Sequence, residues 1–258
     1  MNNNVLRKRI IEMVFKGRDG HIPSALSIID ILSVLYSGYL KFDPQIPDWP
    51  ERDYFILSKG HGCVALYVLL EHYGFITQHD VELFCRPGGI LGAHPDCTKI
   101  PGIEASTGSL GHGFPLAVGV ALGLRIRNMD NKVYVLVGDG ECNEGTIWEA
   151  ALVAANLKLG NLCCIIDNNG SALQVLPVSP LRSKWEAFGW KASEIDGHDE
   201  NQIRGALDSQ NFSQWGIPKA IVANTVKGKG VPMMEGHGLW HHRIPNKDEF
   251  KTIMEVLS

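Results

Sequence analysis

Short, almost wholly apolar runs recur along this chain and alternate with segments of helical periodicity. The clearest runs lie at 54–57, 133–137, 162–167 and 220–223. A strand that is apolar at successive positions must be covered on both faces, which is typical of a parallel sheet whose strands are connected by helices. The pattern predicts a doubly wound, mostly parallel α/β fold with helices on both faces of the sheet.

The segments between these runs have the apolar spacing of helices packed on a core. No Pro-, Gly- or Ser-rich linker interrupts the 258 residues, so residues 1–258 are predicted to form a single domain. A fifth strand is predicted over 190–195. The predicted helices are 5–17, 24–40, 62–74, 113–128, 144–158, 181–188, 199–209 and 247–257.

Charge and composition limit the class of ligand. The formal net charge is −4 and charged residues make up 20% of the chain without any long run of one sign, which disfavours nucleic acid and membrane partners. The N-terminus lacks the apolar stretch of a signal peptide, so we expect a cytoplasmic protein. The six cysteines form no C-x-x-C pair and are predicted to be reduced thiols of the core.

Two neighbouring strand tips carry the residues that suggest chemistry. The strand 133–137 runs into Gly-Asp-Gly at 138–140, and the next strand ends in Asp-Asn-Asn at 167–169. Open α/β sheets bind ligands at the carboxyl ends of their strands, and glycines followed by a helix N-terminus favour a phosphate. Asp139 would repel that phosphate unless a metal lay between them. Carboxylate and amide oxygens suit Mg²⁺ or Ca²⁺.

Simpler interpretations of these tips are also open at this point. Asp, Asn and Gly are common in ordinary turns, so each tip alone could be structural. Nucleotide binding is disfavoured because 138–143 lacks the third glycine of G-x-G-x-x-G, and the chain has no G-x-x-x-x-G-K-[ST] motif. The tips together favour a diphosphate held through a metal.

The same pair of tips matches the thiamine diphosphate motif, in which Gly-Asp-Gly is followed by a terminal asparagine. Several further segments resemble the transketolase family, in order, from about His21 to about Pro245. They are Ser-Lys-Gly-His-Gly at 58–62, Gly-Ala-His-Pro-Asp at 92–96, 104–113, Gly-Asp-Gly-Glu-Cys-Asn-Glu-Gly at 138–145, Asp-Gly-His-Asp at 196–199 and Thr-Val-Lys-Gly-Lys-Gly-Val at 225–231.

The resemblance implies a metal site and a cofactor site. Asp139 and Asn169 would ligate the metal, with the backbone carbonyl of Ser171 as a further ligand in a loop that looks longer than is usual in the family. His61 would donate to the diphosphate, and Glu144 matches a glutamate buried near the cofactor at a subunit interface. The full set of implied cofactor residues is His61, Gly108, Ser109, Leu110, Gly138, Asp139, Gly140, Glu144 and Asn169.

The resemblance also implies catalytic histidines. His21 and His94 match histidines that line the substrate channel and hydrogen-bond the ketose hydroxyls, and His241 or His242 matches a third. Histidine suits the proton transfers that accompany ketol transfer because its pKa lies near neutrality. His21 is followed by Ile-Pro at 22–23 where many members have a glycine-rich step, which mildly favours an unusual ketose such as a sulfo-sugar.

The resemblance covers only the first of the three domains of a full-length transketolase. The second domain supplies the glutamate that activates the cofactor, so we expect this chain to be the N-terminal subunit of a split transketolase, active only with a C-terminal partner subunit. A heterotetramer is the expected assembly. The expected reaction moves a two-carbon ketol unit from an anionic ketose to an aldose. The alternatives are the α subunit of a 2-oxoacid dehydrogenase and a non-catalytic regulatory subunit.

Overall fold

The computed structural model of the chain describes residues 2–209, 212–236 and 238–258. Short 3-10 helices lie at Gly60–Gly62, Gly140–Asn143, Ser171–Gln174 and Pro232–Met234. The strands are β1 (Tyr54–Leu57), β2 (Val133–Gly138), β3 (Leu162–Asn168), β4 (Lys191–Asp196) and β5 (Lys219–Asn224). The α-helices are α1 (Asn3–Gly17), α2 (Ile22–Gly38), α3 (Cys63–Tyr73), α4 (Gln78–Glu82), α5 (Gly113–Ile126), α6 (Gly145–Asn156), α7 (Leu181–Ala187), α8 (Glu200–Asp208) and α9 (Lys247–Val256).

The strands form one parallel sheet in the order β1-β2-β3-β5-β4. The register places Gly138 opposite Asp167 and Asn168 opposite Asn224. Because every strand runs in the same direction, the residues that follow β1, β2, β3 and β5 meet at one edge of the sheet. The predicted α/β architecture is confirmed.

Alternate residues along each strand enter two separate cores, as the two-residue period of a strand requires. Tyr134 and Leu136 pack with helices α1, α2 and α3 on one face, whereas Val135 and Val137 pack with α5, α6 and α7 on the other. Helices therefore cover both faces of the sheet, which explains why its central strands are apolar at every position.

Two elements depart from the simple pattern. The edge strand β4, which pairs with β5, is exposed or half-buried at every position, whereas the opposite edge strand β1 is mostly buried. Helix α4 was not predicted, because five residues are too few to show a helical period. A capping box begins this helix. Thr77 Oγ1 accepts from the Asp80 N–H, and Asp80 Oδ2 accepts from the Thr77 N–H.

The cysteines are free thiols, but they are not all in the core. Cys63, Cys142, Cys163 and Cys164 are buried as predicted, whereas Cys97 is exposed. Among the helices of the described residues, none combines the length and the apolar character that a membrane crossing requires.

Candidate active site

A cleft of about 590 Å³ opens at the carboxyl edge of the sheet, between the tips of β1, β2 and β3. Most of the residues predicted to bind the metal and the cofactor line it, together with the predicted catalytic residue His241: His61, Leu110, Gly138, Asp139, Gly140, Glu144, Asn169 and Ser171. The fold therefore brings together segments that are far apart in the sequence, as the alternating strand pattern indicated.

Asp139 follows β2 and is buried, with 1% of its surface exposed. Its Oδ1 accepts from the Gly140 N–H at 2.8 Å and its Oδ2 from the Ala172 N–H at 3.0 Å. Burial raises the pKa of this carboxyl. Among the described residues, no cationic side chain lies within ion-pair distance of Asp139, so a bound divalent cation would supply the counter-charge that the chain itself does not.

Asn169 follows β3 and lines the same cleft. Its Nδ2 donates to Asp167 at 2.9 Å and its Oδ1 accepts from the Ser171 N–H at 3.0 Å, which fixes the orientation of the amide. The oxygens of Asp139 and Asn169 each retain a lone pair, and hard oxygens of this kind fit Mg²⁺ or Ca²⁺. The described residues contain no cluster of three or more His, Cys, Asp or Glu side chains suited to a metal. A metal here would therefore also need backbone and ligand oxygens.

A buried ion pair ties the strand tips together beneath the cleft. Lys59 Nζ lies 2.5 Å from Asp167 Oδ2, and the two side chains are 1% and 0% exposed. The same carboxylate accepts from the Ser27 hydroxyl at 2.8 Å and from the Thr225 hydroxyl. Asp167 thus has its oxygens occupied by this chain, and Asn169 is the residue of the 167–169 tip that reaches the cleft. Sequence reasoning overlooked Lys59, although it directly follows a buried strand.

Glu141 is a second buried acid that sequence reasoning overlooked. Its carboxylate accepts from the Ser58 hydroxyl at 2.5 Å, from the Gly111 N–H at 2.9 Å and from the Gly138 N–H at 3.1 Å. Burial raises the pKa of this carboxyl. Glu144, expected to be buried at a subunit interface, is exposed in this chain, so its burial stays a prediction about a second protomer. Only the geometry of the turn distinguishes the two glutamates.

Histidines from four separate segments gather on one side of the cleft. The ring centroid of His21 lies 5.3 Å from that of His61, 6.3 Å from that of His94 and 5.5 Å from that of His241. His242 is also close to His21 but bonds Asp19 through Nε2 at 2.9 Å. His241 is thus the member of that pair that lines the cleft.

Burial favours the neutral form of three of these imidazoles, those of His21, His61 and His241. It lowers the pKa of His21 to about 4 and that of His61 to about 2, and it also lowers the pKa of His241. The Nδ1 atom of His21 is buried without a hydrogen-bond partner in the described structure. A neutral ring with a free nitrogen can exchange a proton with a bound hydroxyl.

The three residues of the segment 108–110 lie in different surroundings. Gly108 packs against His94, since a Cβ at this position would lie 3.2 Å from the His94 ring. Leu110 lines the cleft, whereas Ser109 is exposed and is not one of the residues that line it. The backbone contacts predicted for this segment with an aminopyrimidine stay predictions.

Comparison with known proteins extends over the whole chain. The family model described as "Transketolase, thiamine diphosphate binding domain" matches residues 2–257. The chain is 40% identical to the 6-deoxy-6-sulfo-D-fructose transketolase subunit SqwG of Clostridium sp. (strain MSTE9), covering 98% of this chain and 94% of that protein. It is 39% identical to an apulose-4-phosphate transketolase subunit of Phocaeicola vulgatus, covering 98% of this chain and 91% of that protein.

Solved transketolases share the fold. The transketolase of Campylobacter jejuni superposes with a TM-score of 0.91 at 32% identity, over 99% of this chain and 42% of that protein. The transketolase of Leishmania mexicana gives a TM-score of 0.92 at 30% identity, over 98% of this chain and 40% of that protein. This chain therefore spans about two fifths of these transketolases. The family model matches residues 2–257, and the strand-tip motifs meet in one cleft. The chain therefore belongs to the transketolase family and corresponds to its thiamine diphosphate-binding domain.

Proposed function

We propose that this chain is the N-terminal subunit of a split transketolase that moves a two-carbon ketol unit from an anionic ketose to an aldose. The observation that carries the proposal is the cleft itself, in which Asp139 and Asn169 face the same space as His61 and His241. A metal and diphosphate site next to neutral imidazoles is the combination that ketol transfer with thiamine diphosphate needs.

The chain's own residues would hold the cofactor through its charged end. Asp139 and Asn169 bind Mg²⁺ or Ca²⁺, with Ser171 as a third ligand, while His61 donates to the diphosphate. The backbone at Gly138 and Gly140 lets the diphosphate approach closely. Thiamine diphosphate, when bound, supplies the electron sink for cleaving the carbon–carbon bond beside a ketose carbonyl.

The histidines orient the sugar and move its protons. His21, His94 and His241 are drawn from three segments to one side of the cleft, where each can hydrogen-bond a hydroxyl of the ketose. Neutral His21 takes a proton through its free Nδ1 and returns it to the acceptor. These residues would act as general acids and bases.

A partner chain follows from the lengths of the relatives. The chain covers nearly all of two proteins that are named as transketolase subunits, and only two fifths of the single-chain transketolases. We propose that a C-terminal subunit completes the active site in a heterotetramer. We also propose that this complex is cytoplasmic.

The relatives also suggest the class of substrate. Their names specify 6-deoxy-6-sulfo-D-fructose and apulose-4-phosphate, which both carry an anionic group. The proposed donor is a ketose with a sulfonate or phosphate at the end distal to the ketol unit.

Reconstitution with the partner subunit tests the function. The complex, supplied with thiamine diphosphate and Mg²⁺, is expected to transfer a ketol unit from 6-deoxy-6-sulfo-D-fructose, apulose-4-phosphate or xylulose-5-phosphate to an aldose phosphate. The Asp139→Asn variant serves as the inactive control. Release of CO₂ from pyruvate would instead identify a 2-oxoacid dehydrogenase, and cofactor binding without turnover of any ketose would indicate a regulatory subunit.

A further inference from the structure

The imidazole of His94 has no hydrogen bond that holds it in place. The side chain is exposed, and within the part of the chain that the structure describes neither ring nitrogen has a hydrogen-bond partner. The ring packs against Gly108, where a Cβ would lie 3.2 Å from it, and its centroid lies 6.3 Å from that of His21. The place of this ring is therefore set by the backbone that carries it.

Two side chains of helix α3 bond the backbone directly before His94. The Tyr67 hydroxyl donates to the Gly92 carbonyl at 3.1 Å, and the Cys63 thiol, a weak donor, lies 3.2 Å from the Ala93 carbonyl oxygen. Both side chains are fully buried, and their spacing of four residues puts them on one face of the helix. Helix α3 thus presents donors to two successive carbonyls of the segment that carries His94.

The carbonyls on either side of these two are bonded by backbone donors. The Leu91 carbonyl accepts from the Cys85 N–H at 2.8 Å, and the Pro95 carbonyl accepts from the Thr107 N–H at 3.3 Å. A change of side chain does not remove a backbone donor of this kind. The Tyr67 hydroxyl, in contrast, is an anchor of the segment that one substitution can remove.

The hydroxyl of Tyr67 contributes a specific contact, since the ring alone would serve the core. The ring packs against Phe84, with the two centroids 6.2 Å apart. Phenylalanine would fill the same space without burying a polar group, so the hydroxyl adds the bond to Gly92. Burial raises the pKa of Tyr67, so the hydroxyl keeps its proton and acts as a donor.

Helix α3 also connects the two groups of site residues. It begins directly after the 3-10 helix that carries His61. Gly60 of that 3-10 helix packs on Thr107, because a Cβ there would lie 2.7 Å from the Thr107 oxygen, and Thr107 in turn bonds Pro95. One packed unit therefore carries His61 and also determines where the segment of His94 lies.

We propose that Tyr67 is a positioning residue for ketol transfer, whose hydroxyl holds His94 against the bound ketose through the Gly92 carbonyl. The inference rests on the proposed function, because it uses the role of His94 toward the sugar. Tyr67 itself does not line the cleft and contacts the site only through this backbone segment. Such an indirect contact matters because a displacement of about 1 Å can cost about 100-fold in rate.

Steady-state kinetics and calorimetry of the complex with the partner subunit test this inference. For Tyr67→Phe we expect kcat to fall roughly 10- to 100-fold while the affinity for thiamine diphosphate stays that of the wild type. Tyr134→Phe is the matched control and should keep the wild-type kcat. Its hydroxyl is also buried and donates to a backbone carbonyl, that of Tyr39 at 3.4 Å, but it lies near the beginning of β2.

A double substitution separates positioning from a general structural role. In the His94→Ala background, Tyr67→Phe should cause no further loss of kcat, because the hydroxyl acts through that ring. A tyrosine that only stabilised the fold would lower kcat by the same factor in both backgrounds. An equal loss in the two backgrounds, or a wild-type kcat for Tyr67→Phe alone, would overturn the proposal.

A crystal structure of the Tyr67→Phe complex gives a readout that needs no turnover. We expect the His94 ring to be displaced by more than about 0.5 Å, the tolerance within which a catalytic group has to be held. A ring in the wild-type position would also overturn the role of Tyr67. Failure of the wild-type complex to transfer a ketol unit from any ketose would instead defeat the proposed function, so the two failures are distinguishable.

Discussion

The two ends of the parallel strands use buried polar side chains in different ways. We call the end where the strands begin the amino edge of the sheet and the end where they finish the carboxyl edge. At the amino edge these side chains bond to backbone groups of neighbouring loops. Asp53 accepts from the Lys41 and Lys132 N–H groups at 3.0 and 2.7 Å, and Asn161 Nδ2 donates to Ala121 O at 3.0 Å. Such contacts satisfy backbone groups within the fold.

At the carboxyl edge the buried charges pair with one another or have no counter-charge in the described chain. Lys59 and Asp167 form a pair, whereas Asp139 and Lys227 have no counter-charge among the described residues. The comparison shows two uses of buried charge. Asp53 accepts from backbone groups and the Lys59–Asp167 pair joins strand tips, whereas Asp139 and Lys227 line the cleft without a counter-charge, so that a ligand can supply one.

The largest effect is expected at the unpaired carboxylate. Asp139→Asn keeps the shape and removes the charge, so metal-dependent binding of thiamine diphosphate should weaken more than about 100-fold, since even the outer partners of metal ligands are worth 10- to 100-fold. Calorimetry of the reconstituted complex measures this affinity. An unchanged affinity would show that the Asp139 carboxylate does not serve the ligand, and the contrast between the two edges would be wrong.

Substitution of a histidine separates chemistry from binding. His94→Ala is expected to lower the rate of ketol transfer about 100- to 10,000-fold, the range for a general acid–base group, while the cofactor binds as in the wild type. Steady-state rates and calorimetry on the same preparation check both halves. Wild-type turnover would remove His94 from the catalytic group.

Lys59 lies at the carboxyl edge, but its ion pair with Asp167 stabilises the fold and does not bind a ligand. Lys59→Met leaves Asp167 as an uncompensated buried charge and should lower the free energy of unfolding by about 3–5 kcal/mol. Urea denaturation followed by circular dichroism measures the loss. The double substitution Lys59→Met with Asp167→Leu is the control, since removal of both charges should restore part of the stability.

At the amino edge we expect a substitution to lower stability without affecting cofactor binding. Asp53→Asn replaces one of two acceptors for backbone N–H groups and should lower the free energy of unfolding by about 1–3 kcal/mol, with the affinity for cofactor unchanged below the unfolding temperature. Denaturant titration and calorimetry together test this pair of outcomes. A specific loss of cofactor affinity would show that the two edges are not separate in function.

The smallest expected effect is the pH dependence of stability from His21. Its folded pKa of about 4 lies below the ordinary 6.5, so the unfolded chain binds protons more readily. The stability contributed by neutral His21 is present above pH 6.5 and is lost as the pH falls from 6.5 towards 4. The thermal midpoint of His21→Asn should therefore fall less over that window than the wild-type midpoint. Parallel curves for the two proteins would contradict it.

Much of the fold could be predicted because its signals are local and repeated. The apolar strands β1, β2, β3 and β5 are recognisable from their composition, since both faces are covered by helices. Helix α4 was missed because its five residues carry no period. The site was predictable where a motif fixes the residue, as at Asp139 and Asn169. Lys59, Glu141 and Lys227 were missed because their importance depends on which side chains turn inward, and that is decided by contacts between loops distant in sequence.

The Glu141 carboxylate accepts three hydrogen bonds and so links three segments of the chain. It joins the loop after β1, the segment before α5 and the end of β2, through Ser58, Gly111 and Gly138. A displacement of any one of these loops changes the acceptor available to the other two. The thermodynamic consequence is coupling: substitutions at Ser58 and in the 138–140 turn should not add, because each already disturbs the anchor that the other relies on.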